Sequence, residues 1–165
     1  MPLHSTALLR QDVDLTALNT FGVSAAARYF CSVSSLDDLQ TALHDPRVRG
    51  LPVLVLGGGS NVLLTRNFPG LVLHVRLLGK RRIDAAGATA SFEAAAGENW
   101  HEFVLWTLAQ GYSGLENLSL IPGLIGASPI QNIGAYGVEM KDHFIALDAY
   151  DLKQNVVVHF GPSQC

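Results

Sequence analysis

Cysteine and charge are both scarce in this sequence. Its 165 residues include only Cys31 and Cys165, and charged residues make up 15% of the chain. Two cysteines so far apart, one of them terminal, support neither a disulfide framework nor a cysteine metal site. The net charge of −3 provides no electrostatic footprint for nucleic acid. The composition therefore excludes a disulfide scaffold and argues against a nucleic-acid partner.

Long hydrophobic runs are also missing. No apolar stretch reaches the roughly 20 residues of a transmembrane helix, and the N-terminus lacks the layout of a signal peptide. We therefore expect a cytoplasmic protein with no membrane partner. The six histidines are scattered, with no spacing typical of metal ligation or acid–base catalysis, so no metal site is predicted. The only dense basic cluster, Lys80–Arg82, is predicted to be a solvated turn.

A glycine run that follows an apolar segment is the first positive signal. Residues 51–56 (LPVLVL) have the length and composition of a strand buried on both faces. Gly57, Gly58 and Gly59 follow, then Ser60 and Asn61. Successive residues without Cβ let backbone N–H groups approach another molecule, and such amides form anion-binding concavities. The run therefore predicts a phosphate site, although a plain turn at a strand end is the alternative.

The residues after the glycines limit the kind of phosphate site. A P-loop requires Lys and then Ser or Thr after its last glycine, whereas Ser60, Asn61 and Val62 follow here. The dinucleotide fingerprint requires a further Gly or Ala and a helix that opens from the loop. Val62–Thr65 is short and β-prone and does not begin a capped helix, so a Rossmann-type site is disfavoured.

The first half of the chain is predicted to contain strands and one capped helix. Met1–Leu18 has no clear periodicity and is interpreted as a loose lead-in. Ala26–Val33 is predicted to be the first strand, and Gly70–Val75 a later buried strand. Ser35, with an acid three residues later, is typical of a helix N-cap, and apolar spacing carries the helix to about His44.

The second half is predicted to contain a strand, a helix and a hairpin. The strand is predicted over 88–96, and Asn99 is predicted to cap a helix that ends at Gly111. Residues 144–150 and 156–160 are predicted to pair as a β-hairpin. This order favours an α+β fold in two lobes over a regular doubly wound sheet.

Residues 114–137 (GLENLSLIPGLIGASPIQNIGAYG) form the second unusual segment. Glycine and proline alternate there with leucine and isoleucine, whereas an exposed loop would be more polar. Such a composition is typical of irregular backbone that covers a ligand, with Ser128, Gln131 and Asn132 offering hydrogen bonds. A tightly packed connection between lobes is the alternative.

Four segments together resemble one enzyme family. They are NTFG at 19–22, LGGGSN at 56–61, AGENW at 96–100 and the block at 114–137. In the same order and with similar spacing, they resemble the UDP-N-acetylenolpyruvoylglucosamine reductases, the MurB family of bacterial peptidoglycan synthesis. GGGSN alone is a weak signal, whereas the 24-residue block is specific. The resemblance runs from Asn19 to the last residue.

The resemblance implies a fold and a chemistry. The fold is the FAD-binding fold of the vanillyl-alcohol-oxidase (PCMH) type, α+β, with FAD between two small α/β lobes. Residues 1–18 would be the lead-in, 19–78 the first lobe and 79–165 an incomplete second lobe, and the substrate domain would be absent. In the family, NADPH reduces the flavin, which passes hydride to UDP-N-acetylglucosamine enolpyruvate to give UDP-N-acetylmuramate. A monomer is expected.

The resemblance also implies a set of cofactor-binding residues. Those expected to hold the FAD pyrophosphate and adjoining groups are Gly57, Gly59, Ser60 and Asn61. Those expected to line the rest of the FAD site are Pro122, Gly123, Gly126, Ala127, Ser128, Ile130, Gly134 and Tyr136. Simple core packing is the alternative for Tyr136.

The sequence departs from the family pattern at its end. The family's catalytic Arg, Ser and Glu would follow beyond Cys165, so no catalytic residue is predicted within the chain. We expect the 165 residues alone to bind FAD weakly or not at all and to lack reductase activity. The alternative is a non-catalytic flavin- or nucleotide-binding remnant. Another oxidase of the same fold is disfavoured by the close match at 114–137.

Overall fold

The first part of the chain forms a four-stranded sheet. The structure, a computed structural model, describes residues 8–165, so residues 1–7 of the predicted lead-in lie outside the described part. The strands are β1 (Arg10–Asp14), β2 (Ala26–Val33), β3 (Val53–Leu56) and β4 (Phe68–Val75), in the spatial order β1-β2-β4-β3. β4 runs parallel to β2 and β3, and β1 is antiparallel to β2. The predicted strands at 26–33 and 70–75 are confirmed.

Alternation along β2 and β4 builds an apolar layer on each face of this sheet. On one face, Tyr29, Cys31 and Leu73 pack beneath helix α1 (Leu36–His44). On the other face, Phe30 and Val72 pack with residues that include Leu15, Leu56 and Leu64. The Ser35 hydroxyl accepts a hydrogen bond from the Asp38 N–H at 3.0 Å, which confirms the predicted N-cap and helix.

Two predictions for this lobe are wrong. The lead-in is not loose over residues 8–18, because β1 pairs with β2 and Leu15 is fully buried. β1 is a polar edge strand held by main-chain hydrogen bonds, and it therefore shows little apolar periodicity. β3 is also an edge strand and is not buried on both faces: Val53 and Val55 are 38% and 55% exposed.

The second part of the chain contains three two-stranded sheets and one helix. The hairpins are β5 (Lys80–Ala86) with β6 (Thr89–Ala94), β7 (Gly134–Ala135) with β8 (Val138–Glu139), and β9 (Leu147–Asp151) with β10 (Val156–Phe160). The last hairpin and the strand near residue 90 are confirmed predictions, as is the α+β class. No helix within residues 8–165 is both long and apolar enough to cross a membrane.

The basic cluster is a strand and not a turn. Lys80–Arg82 begins β5, where Arg81 pairs across the hairpin with Glu93 at 3.1 Å. Both side chains of this pair are largely exposed, so water solvates the charges on the strand as well as it would on a turn. The basic composition of residues 80–82 predicted their exposure correctly but did not show that they form a strand.

Helix α2 (Trp100–Ala109) carries the core of the second part. The Asn99 side chain caps it by accepting from the Glu102 N–H at 3.0 Å, and Gly111 follows its end with φ +87°, both as predicted. Trp100, Phe103 and Val104 pack around Leu118. The indole N–H of Trp100 donates to the Leu118 carbonyl at 2.7 Å, which ties the helix to the 114–137 block.

Replacing Trp100 with Phe tests this tie. The change leaves the buried Leu118 carbonyl without its donor and removes part of a buried ring, so we expect the free energy of unfolding to fall by about 2–4 kcal/mol. Trp106→Phe is the matched control, because Trp106 lies on the same helix but is only half-buried and its indole N–H has no hydrogen bond within residues 8–165. Equal losses in urea unfolding of the two variants would contradict the assigned role of the hydrogen bond.

Candidate functional site

The glycine run turns directly after β3. Gly59 has φ +67°, and a Cβ at this position would overlap the Leu18 carbonyl oxygen and lie 2.8 Å from the Asn19 Cα. The run therefore packs backbone against backbone, and no other residue type fits at position 59. No helix follows Asn61, since the next regular element is β4, and residues 62–65 form no strand either.

The main-chain N–H groups of this turn are available to a ligand. Among residues 8–165, those of Gly58, Gly59, Ser60 and Asn61 meet no hydrogen-bond acceptor. Backbone donors left without protein partners need water or a ligand. Successive free amides form a cradle suited to an anionic oxygen, which is the arrangement that a pyrophosphate requires.

A second backbone segment faces this turn. The Ile125 N–H donates to the Glu98 carbonyl and the Gly126 N–H to the Ala96 carbonyl, both at 2.9 Å. A Cβ on Gly126 would lie 2.6 Å from the Ala96 Cβ, so this contact also requires glycine. The AGENW segment thus holds the 121–128 segment in place by main-chain contacts.

The two segments enclose a cleft of about 260 Å³. The Ser60 hydroxyl lies 3.4 Å from the Pro122 carbonyl oxygen, and a Cβ on Gly58 would lie 3.9 Å from the Gly123 Cα. The cleft is lined by Ser60, Asn61, Trp100, Ile121, Pro122, Gly123, Leu124, Ala127, Ser128, Gln131 and Ile133. A second cleft, of about 290 Å³, is lined by residues of α1 and the α1–β3 connection and shares none of these.

The predicted cofactor residues fall into two groups. Those in the cleft wall are Ser60, Asn61, Pro122, Gly123, Ala127 and Ser128. The others lie outside the wall: Gly57 faces Leu124, Gly59 and Gly126 support the two segments from behind, Gly134 lies in β7, and Ile130 and Tyr136 are exposed. The two distant segments therefore meet at one cleft, although half of the predicted residues do not line it.

Four lining residues were not predicted individually. Ile121, Leu124 and Ile133 belong to the 114–137 block, and its composition was the only available signal for them, whereas Gln131 was predicted to offer a hydrogen bond. Trp100 was named only within the AGENW segment of the family resemblance, and its 2% exposure shows that it is mainly a core residue. In irregular backbone, the residues that line the cleft and those that support it follow no fixed period. The sequence therefore could not predict which residues of the block line the cleft.

Strained and exposed apolar residues continue from the cleft along the block. Leu120 and Tyr136 have φ of +64° and +53°, and they are 76% and 89% exposed. Left-handed backbone at such residues costs about 1 kcal/mol or more and is typical of functional segments. Ile130 is 82% exposed. The core-packing alternative for Tyr136 is therefore wrong.

The cleft wall carries no charged side chain, but one ion pair includes Glu98, whose carbonyl holds the 121–128 segment. The Glu98 carboxylate accepts from the Gly79 N–H and from the Lys80 ammonium, both at 2.8 Å. The hydrogen bond from Lys80, followed by that from Gly79, lowers the pKa of Glu98 below its ordinary value. Because its own carbonyl also holds Ile125, Glu98 links β5 to the 121–128 segment.

Replacing Glu98 with Gln tests this link. We expect a loss of about 1–3 kcal/mol in the free energy of unfolding at neutral pH, since a charge-assisted hydrogen bond in a mostly buried site is weakened. A carboxyl whose folded pKa is lowered stabilises above its unfolded pKa, and this stabilisation is lost as the pH falls through the folded pKa. The difference between wild type and variant should therefore shrink below about pH 4.5.

Glu93→Gln is the control for the Glu98 experiment. Glu93 also pairs with a cation, but its side chain is 57% exposed, so its pair with Arg81 should contribute little. Urea unfolding of the three proteins at several pH values provides the measurement. A difference between wild type and E98Q that stays constant from pH 7 to pH 3 would contradict the role of the ionised carboxylate.

The family model and the curated relatives both relate this chain to FAD-dependent proteins. The family model described as "FAD binding domain" matches residues 27–161. Among relatives named UDP-N-acetylenolpyruvoylglucosamine reductase, that of Pseudomonas putida is 51% identical over 160 residues, which is 97% of this chain and 47% of the relative. That of Chromobacterium violaceum is 55% identical over 150 residues, which is 91% of this chain and 44% of the relative. The chain thus spans about half the length of the curated relatives it matches.

Solved structures show the same fold. The MurB crystal structure from Thermus caldophilus superimposes with a TM-score of 0.71 at 24% identity, covering 94% of this chain and 53% of that one. A solvent-stable cholesterol oxidase superimposes with a TM-score of 0.54 at 18% identity, covering 83% of this chain and 30% of that one. The predicted FAD-binding fold is confirmed. Since the family model covers most of its residues, the chain belongs to the FAD binding domain family.

Proposed function

We propose that this chain is the FAD-binding part of an NADPH-dependent reductase that converts UDP-N-acetylglucosamine enolpyruvate to UDP-N-acetylmuramate. The proposal rests on the cleft in which the glycine run at 57–59 meets the 121–133 segment. The relatives named as this reductase match nearly the whole chain, and both segments lie within the matched region. Peptidoglycan precursor synthesis is the corresponding biological role.

The residues present fit one part of FAD well. The free N–H groups of Gly58 to Asn61 suit the pyrophosphate, because they donate hydrogen bonds to anionic oxygens without a cationic side chain. The Asn61 and Gln131 amides offer further hydrogen bonds. The cleft is smaller than the roughly 300–1,000 Å³ typical of ligand pockets, so the rest of the cofactor extends beyond it.

The exposed apolar residues are assigned to the flavin side of the site. Ile130, Gly134 and Tyr136 are proposed to cover the remainder of the cofactor and exclude water from it. When bound, FAD supplies hydride transfer, and the protein contributes position and solvent exclusion. An exposed Tyr on strained backbone has no packing role of its own, and this supports its assignment to a ligand contact.

No group in the cleft wall is a suitable proton donor. The Ser60 hydroxyl faces the Pro122 carbonyl at 3.4 Å, and the Ser128 hydroxyl donates to the Ile125 carbonyl at 2.8 Å. Neither serine has a general base beside it in these contacts. We therefore propose that the 165 residues bind FAD but do not reduce the enolpyruvyl substrate. A non-catalytic flavin- or nucleotide-binding module is the second candidate, and this uncharged wall favours it.

We propose a cytoplasmic monomer. Cys31 and Cys165 are both free thiols, as is typical of a reducing compartment. Cys31 is buried, and burial, with a smaller effect of Asp38, raises its pKa to about 11, so it is an unreactive core residue. Size-exclusion chromatography with light scattering measures the oligomeric state.

FAD binding is the first test of the proposal. Titration of FAD with the purified chain should give weak, saturable quenching of flavin fluorescence and a shifted visible band. Gly58→Ala should weaken binding at least tenfold while changing the free energy of unfolding by less than about 1 kcal/mol, because its Cβ would project into the cleft and make only ordinary van der Waals contacts, at 3.9 Å, with Gly123 and Leu124. If G58A bound FAD as tightly as wild type does, the assignment of the pyrophosphate to this turn would be contradicted.

Two further glycine variants control for backbone effects. Gly59→Ala should lose both FAD binding and stability, since its Cβ would overlap the Leu18 carbonyl. Gly87→Ala also changes a left-handed glycine, with φ +59°, but it lies in open space in the β5–β6 turn. It should cost about 1 kcal/mol of stability and leave FAD affinity unchanged. Loss of FAD affinity in G87A would show that general destabilisation explains the other variants.

Turnover tests whether the 165 residues alone can reduce the substrate, which neither candidate function allows. With FAD, NADPH and the enolpyruvyl substrate, the 165-residue chain should show no substrate-dependent NADPH oxidation, because the cleft wall provides no proton donor. The Pseudomonas putida relative, at its full length, is the positive control. Substrate-dependent oxidation by the 165 residues alone would contradict the proposed division of the catalytic groups.

A further inference from the structure

The NTFG segment contributes a buried amide with no role in the site described so far. Asn19 is 7% exposed, and its side chain lies inside the loop that connects β1 to β2. Its Nδ2 donates to the Leu15 carbonyl at 2.9 Å and to the Val23 carbonyl at 3.0 Å, and its Oδ1 accepts from the Val23 N–H at 3.0 Å. One donor and two acceptor carbonyls on the backbone fix the orientation of the amide.

These hydrogen bonds close residues 15–23 into a rigid loop. A buried amide with all its partners present stabilises one conformation, because leaving any partner unpaired in the interior is costly. Leu15 at one end of the loop is fully buried under the sheet. Asn19 therefore connects the loop to the core of the first lobe.

The backbone of the 15–23 loop contacts the glycine run directly. The Leu18 carbonyl and the Asn19 Cα fill the space where a Cβ of Gly59 would lie. The Thr20 N–H donates to the Gly59 carbonyl at 3.1 Å. The backbone on both sides of the Asn19 side chain is thus in contact with the turn that carries the free amides.

The contact with Thr20 determines where one of those amides points. A trans peptide is planar, so the Gly59 carbonyl and the Ser60 N–H point in opposite directions. Because Thr20 holds the carbonyl on the loop side, the Ser60 N–H is turned away from the loop. Ser60 lines the cleft, and its N–H has no acceptor among residues 8–165.

We propose that Asn19 is a positioning residue for the pyrophosphate of FAD. It holds the 15–23 loop in the one conformation that orients the Gly59–Ser60 peptide toward the ligand, and it does not touch the ligand itself. The proposal rests on the assignment of the pyrophosphate to this turn. It extends the site to a third segment of the chain, outside both glycine-rich segments.

The test compares Asn19→Ala and Asn19→Ser with Asn67→Ala. Asn67 also bonds backbone in this lobe, since its Oδ1 accepts from the Ala26 N–H at 2.9 Å, but that bond is to the start of β2 and not to the 15–23 loop, and Asn67 is exposed. Amide chemical shifts of the isotope-labelled proteins, recorded without ligand, report the orientation of the turn. The Asn19 variants should move or broaden the signals of Gly58 to Asn61 and leave those of β2 and β4 in place, whereas N67A should leave the turn unchanged.

FAD titration provides the second readout. Each Asn19 variant should weaken FAD binding at least tenfold at a temperature where urea unfolding shows it folded, and N67A should bind like wild type. Unmoved turn signals in the Asn19 variants would overturn the positioning role. Failure of both Asn19 variants to fold would also overturn it, because Asn19 would then be a determinant of the fold alone. Moved turn signals with no FAD binding by wild type would instead contradict the pyrophosphate assignment.

Discussion

The site depends on backbone packed directly against backbone. Gly59 lies on Leu18 and Asn19, and Gly126 lies on Ala96, and in both contacts a single Cβ would force the segments apart. Because the peptide group is planar, contacts on the main chain also restrict the directions of its N–H groups. The candidate cleft is therefore formed by loops whose backbones contact one another closely.

The uncharged cleft wall is compatible with binding of an anionic ligand. The protein has a net charge of −3, so the attraction for an anion must come from local groups in the cleft. Backbone N–H groups supply positive potential without adding a charge that must be neutralised when the site is empty. The charged pair of Glu98 and Lys80 is not part of the wall, and its role is to hold the backbone.

Local signals in the sequence predicted local structure well. Ser35 and Asn99 cap the helices they were predicted to cap, and the hairpin at 147–160 closes where polar residues separate two apolar runs. Each of these signals acts through hydrogen bonds within a few residues, so no knowledge of the rest of the fold is needed. The meeting of the two glycine-rich segments followed from the family resemblance.

The errors arose where burial depends on distant neighbours. The apolar run at 51–56 could not show that α1 covers β2 and β4 but leaves Val53 and Val55 exposed on the edge strand. Likewise, nothing in the composition of Arg10–Asp14 showed that it pairs with β2. The NTFG segment likewise gave no local sign of its packing, because the contacts of Asn19 and Thr20 with Gly59 join residues about 40 positions apart.

The polar groups of the cleft wall are suited to binding and not to proton transfer. The wall donates hydrogen bonds from the backbone and from amide side chains, and its two serines already face carbonyl oxygens. Such a surface can hold and shield a flavin, but it cannot deliver a proton, because no lining side chain titrates near neutral pH. For the proposed reduction, the proton must therefore come from a group outside this wall.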